Sequence, residues 1–344
     1  MEQMTILKLS EQVRTEGDAY LFMENMRWGD KPVCPHCGSE HVNYIKPVNG
    51  VSRTTRTGSV SERRVWKCQA CPGRKQFSVL TGTIFHGTKI PVRTWLFVVF
   101  EMCASKNGVA AREIERKYGL SPKSAWFMLH RIREAMKREP LAGLLGGGGG
   151  TVIADETAIG GKTGRMNNKR RAAHEAPKAV KPGSGPGTGP FAGKAIVLSL
   201  IDTETGEARS EVVRDVTAHT LRKHIADQVD MAGTVLVTDE AQAYKSLAGE
   251  FAAHETVNHA DGQYARYRNG ETISSNAVES FFSQLKRSLD GTHHAVSADH
   301  LARYLGEFDF RHTTRKMTDT ERMVKMYGQV GDRRLSYRPL TERN

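Results

Sequence analysis

Four cysteines in the first quarter of the chain have the spacing of metal ligands. Cys34 and Cys37 form one Cys-x-x-Cys pair, and Cys68 and Cys71 form a second. Zinc takes four thiolates in a tetrahedron, and such a closed shell leaves no position open for substrate. We therefore predict a structural zinc site on a zinc ribbon; the alternatives are two unrelated turns or a redox pair.

Acidic residues in the second half suggest a different metal. Asp155 follows the apolar run TVIA, and Asp239 follows TVLVT. Carboxylates at adjacent strand ends can converge on one point. A helix packed beside them can add Asn276, Glu279 and Lys286. Glu279 and Lys286 are seven residues apart and therefore share one face of that helix. Converging carboxylates need a cation, and hard oxygen ligands favour Mg²⁺ or Mn²⁺. Two such ions would activate a water or a DNA 3′-hydroxyl, with Lys286 holding a phosphate.

Other interpretations of these acids remain open. An aspartate at a strand end is commonly a turn or a helix cap. Glu156 and Glu240 are rival carboxylates, but on a strand they point away from the aspartates. The acids of EFDFR (Glu307 and Asp309) are interpreted first as a helix face with local ion pairs.

The elements that must position these acids alternate between strands and helices. Apolar runs predict strands at residues 151–154, 194–201, 208–213 and 234–238, and helices at 217–231 and 275–289, with Asp202 in a turn. This order predicts an α/β fold with a mixed sheet.

The middle of the chain predicts a helix-turn-helix. A buried helix at 91–105 precedes a short helix at 110–118, a turn at Gly119, and a helix that begins after Ser121 and runs to about residue 137. The second helix is expected to expose His130 and the candidate DNA contacts Lys123, Ser124, Arg131 and Arg133. The alternative is an ordinary helical hairpin with a solvated face.

Charge and composition favour a polyanionic partner. The chain has 50 Lys and Arg against 38 acids, a net charge of +12. No apolar run is long enough to span a membrane and no signal peptide is visible, so we expect a cytoplasmic, nucleoid-associated protein. Residues 162–194 hold eight basic residues against one Glu. This segment is either a basic loop that binds DNA phosphates through Lys169, Arg170 and Arg171, or a disordered solvated insertion.

The expected organisation follows the chain in order. It comprises an N-terminal helical segment (1–32), the zinc ribbon (33–80), the helix-turn-helix region (81–140), a flexible Gly-rich linker (141–150), a nuclease domain (151–325) and a basic tail (326–344).

Several motifs together resemble the prokaryotic insertion-sequence transposases that join an N-terminal zinc ribbon to a DDE nuclease domain. They are RWGDKPVCPHCGS, KQFSVLTGTIFHGTK, ADETAIGGK, VTDEAQAY and NAVESFFSQLKRSLDGTHHAVSADHLARYLGEFDFR. The resemblance implies a ribonuclease H-like fold, two-metal phosphoryl transfer and binding to terminal inverted repeats and target DNA. Since two element ends must be paired, it also implies a homo-oligomer on DNA.

The same resemblance assigns roles to the candidate residues. Asp155 and Asp239 match the first two magnesium ligands, and Glu279, with Lys286 seven residues on, matches the third; Asn276 is its rival or an accessory ligand. The alternatives to a transposase are a non-catalytic DNA-binding regulator and a nuclease without strand transfer.

Overall fold

A computed structural model describes residues 3–46, 53–54, 58, 60–137, 143–160, 194–257, 265–268, 271–294, 296–337 and 340. The chain divides into two compact units. The first contains Met1–Met136 and Lys316–Asn344, and the second contains Lys137–Arg315. Within the described ranges, no helix combines the length and apolar character needed to cross a membrane.

The first unit is built from short strands and helices. In chain order they are α1 (Ile6–Gln12), α2 (Glu16–Trp28), β1 (Val42–Tyr44), β2 (Arg53–Thr54), β3 (Val60–Ser61), β4 (Trp66–Cys68), β5 (Gln76–Phe77), α3 (Val92–Ala104), α4 (Ala111–Tyr118) and α5 (Pro122–Met136). Helix α10 (Asp319–Gly328), from the end of the chain, packs against α2, α3 and α5.

The ribbon is an antiparallel sheet of order β1-β4-β5. Val42 pairs with Cys68, and Tyr44 pairs with Trp66. Strand β1, which follows the first cysteine pair, therefore lies against β4, which ends at the first cysteine of the second pair. Trp28 of α2 packs edge-on against Trp66 and Phe77. These aromatic contacts give the small sheet an apolar core beside its cysteines.

The predicted helix pair is present. Helix α4 ends at Gly119, whose φ of 62° is left-handed, a conformation that glycine adopts without a steric penalty. Ser121 then accepts a hydrogen bond from the amide of Ser124 at 3.2 Å, which caps the start of α5. The predicted buried helix α3 is also present, with Trp95 and Cys103 in the core.

The second unit contains a larger sheet and its covering helices. Its elements are β6 (Leu145–Gly146), β7 (Thr151–Ile159), β8 (Ala195–Asp202), β9 (Ala208–Val213), α6 (Ala218–Ala226), β10 (Val229–Asp230), β11 (Val235–Thr238), α7 (Gln242–Lys245), β12 (Ala253–Thr256), β13 (Ala265–Arg268), β14 (Glu271–Ser274), α8 (Asn276–Gly291) and α9 (Ala298–Thr313).

The five-stranded sheet has the order β12-β11-β7-β8-β9. Strands β7, β8 and β9 are antiparallel neighbours, whereas β11 is parallel to both β7 and β12. This mixed sheet with helices on both faces confirms the predicted ribonuclease H-like α/β fold.

Each face of the sheet has its own core. Ile153, Val197 and Val237 pack with residues of α8 and α9. Val152 and Leu236, one residue out of phase, pack instead with residues of α6 and α7. Because side chains of a strand alternate between faces, this division fixes the face on which each acidic residue lies.

Three sequence-based expectations about this unit are wrong. Strand β7 continues to Ile159, five residues past its predicted end. The reason is that its second half stays paired with β8, from Asp155 opposite Ser199 to Ile159 opposite Ala195. The helix predicted at 217–231 ends at Ala226, and the chain continues into β10, which pairs with β6.

The third concerns the glycine-rich run, which is part of the second unit where it is described rather than a flexible linker. Leu145–Gly146 forms β6, and the amides of Gly146 and Gly147 donate to Asp202 at 3.0 Å and to Thr234 at 2.9 Å. Asp202 also accepts from the amides of Glu204 and Thr205, as expected of a turn residue.

Candidate metal and DNA sites

The four predicted zinc ligands lie together in the first unit. All four sulfur atoms are within 4.8 Å of one another. The Cys34 and Cys71 sulfurs are 3.8 Å apart, and those of Cys37 and Cys68 are 3.6 Å apart. A tetrahedron with zinc–sulfur bonds of about 2.3 Å has sulfur–sulfur edges of roughly 3.8 Å. The cysteines therefore fit one structural zinc ion, and Cys103 is separate from them in the helical core.

Asp155 and Asp239 are aligned on neighbouring parallel strands. Ile153 of β7 pairs with Val237 of β11, and each aspartate lies two residues further along its chain. Asp155 is inside β7, whereas Asp239 follows the last residue of β11 and accepts a hydrogen bond from the amide of Ala241 at 3.0 Å. The alignment therefore comes from strand register.

Alternation along β7 assigns Asp155 to the face of the sheet beneath α8, and Asp239 directly follows β11, whose Val237 is on the same face. Ile153 and Val237 belong to the same core as Val278 and Phe281 of α8, which precede and follow Glu279 closely. Glu279 is half-buried and its carboxylate accepts a hydrogen bond from the Ser275 hydroxyl at 3.1 Å. The first turn of α8 therefore packs on this core through Val278, and Glu279 is the next residue of that turn.

Asn276 and Lys286 are on the exposed side of the same helix. Asn276 is its first residue and is exposed, as is Lys286, whose ammonium group lies 6.0 Å from the centre of the Phe282 ring. Of the two rivals for a third ligand, Glu279 is the more enclosed and carries the negative charge.

Glu156 lies on the opposite face, as expected from alternation. Its neighbours include Tyr244, a buried residue of the α6 and α7 core. Burial, with repulsion from Asp155 and Asp239, raises the pKa of Glu156 to about 7. Sequence reasoning missed Tyr244; its signal is an aromatic residue five positions after Asp239 in VTDEAQAY.

The acid set fits a hard divalent cation in its chemistry. Its donors are carboxylate oxygens, which Mg²⁺ and Mn²⁺ prefer. Among the described residues, only the four thiols form a group of three or more ligand atoms within 4.8 Å of one another. Asp155, Asp239 and Glu279 do not approach that closely, so an ion would have to draw them together.

The rival acids of α9 have structural partners. Glu307 is fully buried and pairs with Arg311 one turn later at 2.6 Å. Asp309 accepts hydrogen bonds from the amide and hydroxyl of Ser210, at 2.8 and 2.7 Å. The Glu307 contact agrees with the interpretation of EFDFR as a helix face with local ion pairs. The Asp309 contact does not, because its partner Ser210 is an uncharged residue of β9.

The predicted exposure of the α5 basic face is largely wrong. Arg131 is 5% exposed, Arg133 is 1% exposed and His130 is fully buried. The helix turns this side towards the core of its own unit, where the Arg131 guanidinium lies over Trp95 and Phe127. Lys123 is exposed, whereas Ser124 is half-buried in the cap with Ser121. Lys169, Arg170 and Arg171 lie outside the described residues.

Comparison with known protein families gives two matches. Residues 147–313 match the ISXO2-like transposase domain, and residues 14–74 match the transposase zinc-ribbon domain. The ranges do not overlap and together cover more than half of the chain. The first contains Asp155, Asp239 and Glu279, and the second contains all four zinc-ligand cysteines. The chain therefore contains a transposase domain and a transposase zinc ribbon, which confirms the resemblance to insertion-sequence transposases that the motifs predicted.

No curated protein matches the chain. Among solved structures, it is similar to a chain from the simian T-cell lymphotropic virus intasome in complex with PP2A regulatory subunit B56 gamma. The identity is 14%, the match covers 59% of this chain, and the TM-score is 0.26. The match spans 65% of that chain, slightly less than two thirds of its length.

Proposed function

We propose that the protein is a DNA transposase that binds the terminal inverted repeats of its element and carries out divalent-metal-dependent strand cleavage and strand transfer. The observation that carries the proposal is the register of β7 and β11, which puts Asp155 and Asp239 each two residues beyond the pair Ile153–Val237, on which Val278 of α8 packs. The family match over residues 147–313 supports the same activity.

The candidate residues have distinct roles in this proposal. Asp155, Asp239 and Glu279 would hold Mg²⁺ or Mn²⁺, which would supply activation of a water or a DNA 3′-hydroxyl and stabilisation of the leaving oxygen. Asn276, exposed at the start of α8, is the alternative third ligand. Lys286 would bind a phosphate of the DNA near the acids, since its flexible ammonium group is exposed two turns from Glu279.

The zinc ribbon and the α4–α5 pair would bind DNA rather than react with it. Four thiolates fill the coordination shell of zinc, so the metal stabilises the ribbon and offers no open position. Lys123 is the exposed candidate of the helix pair. Because two element ends must be joined in one event, we propose that the active form on DNA is a homo-oligomer.

A strand-transfer reaction tests the proposal. Purified protein is mixed with a labelled duplex carrying one end of its element, a plasmid target and Mg²⁺ or Mn²⁺. Asp239→Ala removes a candidate ligand, and Glu240→Gln removes the next carboxylate, which is exposed. We expect joined products with wild type and Glu240→Gln, and none with Asp239→Ala or without the metal.

Other outcomes separate the alternative functions. Nicked or cut duplex without joined strands would identify a nuclease. Binding of the element end without cleavage in either metal would identify a DNA-binding regulator. Joined products from Asp239→Ala would contradict the assignment of that residue.

A further inference from the structure

Four basic residues that are distant in sequence come together in the first unit. Arg63 precedes β4, His86 follows β5, Arg131 is on α5, and Arg334 lies beyond α10. We call these four residues the basic cluster. Arg131 donates to the backbone carbonyl of His86 at 2.7 Å, and Arg63 and Arg334 are close enough to act electrostatically on the imidazole.

Backbone pairing brings the end of the chain to this cluster. The amide of Ile84 donates to Val330 at 3.1 Å, and the amide of Asp332 donates to Gly82 at 2.9 Å. Arg333 then donates to the backbone carbonyl of Glu134 at 2.9 Å. These bonds hold residues 330–333 against the loop that carries His86 and against α5, and Arg334 is the next residue of the chain.

The His86 ring is oriented by a backbone hydrogen bond. The Gly82 amide donates to its Nδ1 at 3.3 Å, so Nδ1 is the acceptor and Nε2 carries the proton of the neutral ring. Arg63 is exposed and donates to the Ser78 hydroxyl at 3.4 Å. Both residues therefore keep N–H donors available at the cluster.

Arg131 forms the buried floor of the cluster. Its Nη2 donates to the backbone carbonyl of His86 at 2.7 Å, but its Nε has no hydrogen-bond partner. A buried donor left without a partner destabilises the folded state. An anion is the kind of ligand that would satisfy it.

The cluster has an excess of positive charge. Within the described part of the chain, Arg63, Arg131 and Arg334 form no ion pair with a carboxylate, in contrast to Arg64, which pairs with Glu24 at 2.8 Å. Burial and then repulsion from Arg334 lower the pKa of Arg131 to about 10. Burial lowers the pKa of His86, and the three arginines lower it further. A bound anion would relieve this repulsion.

We propose that the basic cluster is a phosphate-binding site that holds a backbone phosphate of duplex DNA. Arg63 and Arg334 supply exposed guanidinium groups, His86 supplies an imidazole donor, and Arg131 supplies buried charge below them. A phosphate group fits because it is compact and has two oxygens that accept hydrogen bonds. Guanidinium groups bind such oxygens through paired N–H donors. This phosphate site rests on the proposed transposase function in one respect, namely that DNA is the partner.

Duplex binding by the full-length, zinc-loaded chain tests the site. Fluorescence anisotropy is measured against salt with an element-end duplex and an unrelated duplex, for wild type, Arg63→Gln, Arg334→Gln and the charge-matched control Arg222→Gln. A phosphate contact carries no sequence information, so each cluster variant should lower the affinity for both duplexes equally, by about 5- to 10-fold. The slope of log affinity against log salt concentration should fall by about 1. If the cluster variants bind both duplexes as tightly as Arg222→Gln does, DNA phosphate is excluded as the ligand of the cluster.

Thermal unfolding in inorganic phosphate against chloride, at equal ionic strength, separates the two sources of phosphate. Stabilisation of wild type but not of the Arg63→Gln/Arg334→Gln double variant, without a duplex effect, would assign the site to free phosphate. No effect of the variants in either experiment would overturn the proposal. Strand transfer is a separate measurement: its failure with normal duplex binding would contradict the proposed function and leave the phosphate site intact.

Discussion

Asp155 and Asp239 each lie two residues beyond the paired residues Ile153 and Val237 of two neighbouring parallel strands, Asp155 within β7 and Asp239 directly after β11. Strand register therefore puts two acids that are distant in sequence at the same level of adjacent parallel strands. The same register places Glu156 on the other face, beside Tyr244. Asp155 is thus on the face covered by α8, and Glu156 is on the other.

The first prediction identifies the third ligand. Glu279→Gln keeps an oxygen that can accept from Ser275 but removes the charge, whereas Asn276→Ala removes the exposed rival. Because loss of a residue that only supports a ligand costs about 10–100-fold, loss of the ligand itself should lower strand transfer by more than about 100-fold. We expect that loss for Glu279→Gln and less than about 10-fold for Asn276→Ala, in reactions titrated with Mg²⁺. The reverse order would make Asn276 the ligand.

Zinc content should depend on the paired cysteines alone. Cys34→Ala opens the four-thiolate shell, whereas Cys103→Ala shortens a buried thiol in α3 that is separate from it. Elemental analysis should find one zinc per chain in wild type and Cys103→Ala, and none in Cys34→Ala. Because binding of a structural zinc is coupled to folding, limited proteolysis should then cut Cys34→Ala between residues 34 and 77. Retention of zinc by Cys34→Ala would contradict the site.

Two glycines of the Gly-rich run should respond differently to alanine. Both are left-handed, with φ of 68° at Gly146 and 60° at Gly148, which costs alanine about 1–2 kcal/mol. A Cβ on Gly146 would also lie 2.1 Å from the Thr234 hydroxyl, whereas one on Gly148 meets nothing within 4 Å. Denaturant unfolding should therefore show Gly146→Ala to be less stable than Gly148→Ala by at least about 1–3 kcal/mol. Equal losses would restore the interpretation of the run as a linker.

Asp309 should make the second unit less stable as pH rises. Burial, with smaller repulsion from Glu211 and Glu207, raises its pKa to about 7, while the unfolded chain releases this proton near pH 4. Between these values the folded state binds more protons, so the contribution of Asp309 to stability falls as pH rises from about 4 to 7.

Unfolding free energies at several pH values check this sign. Asp309→Asn should remove part of the decline between pH 4 and 7, since the amide does not titrate. The exposed control Asp227→Asn should follow wild type. A pH profile of Asp309→Asn that is parallel to wild type would show that Asp309 is ionised in the fold over this range.

Local patterns predicted much of this protein. The Cys-x-x-Cys pairs, the α4–α5 pair and strand β9 depend on short-range spacing and capping, and the structure reproduces them. Strand β7 extends further than its apolar residues indicate, because pairing with β8 continues through polar positions.

The sequence-based predictions that failed depended on contacts between residues that are distant in the sequence. Arg131 belongs to a basic run on an amphipathic helix, and only its packing on Trp95 shows that it is buried. Arg63, His86 and Arg334 share no motif, so nothing short of the fold brings them together. The glycines resemble a linker in composition, yet Asp202 and Thr234 hold them in place.

The most direct test of the account is whether Asp155 and Asp239 hold one divalent ion. Zinc-loaded protein is incubated with Fe²⁺, ascorbate and peroxide, and the sites of hydroxyl-radical cleavage of the backbone are mapped by mass spectrometry, with and without excess Mg²⁺. We predict cuts near both aspartates that excess Mg²⁺ suppresses and that Asp239→Ala abolishes, while Glu240→Gln leaves them unchanged. Cuts that avoid both aspartates, or that persist in Asp239→Ala, would contradict the assignment of the metal to these residues.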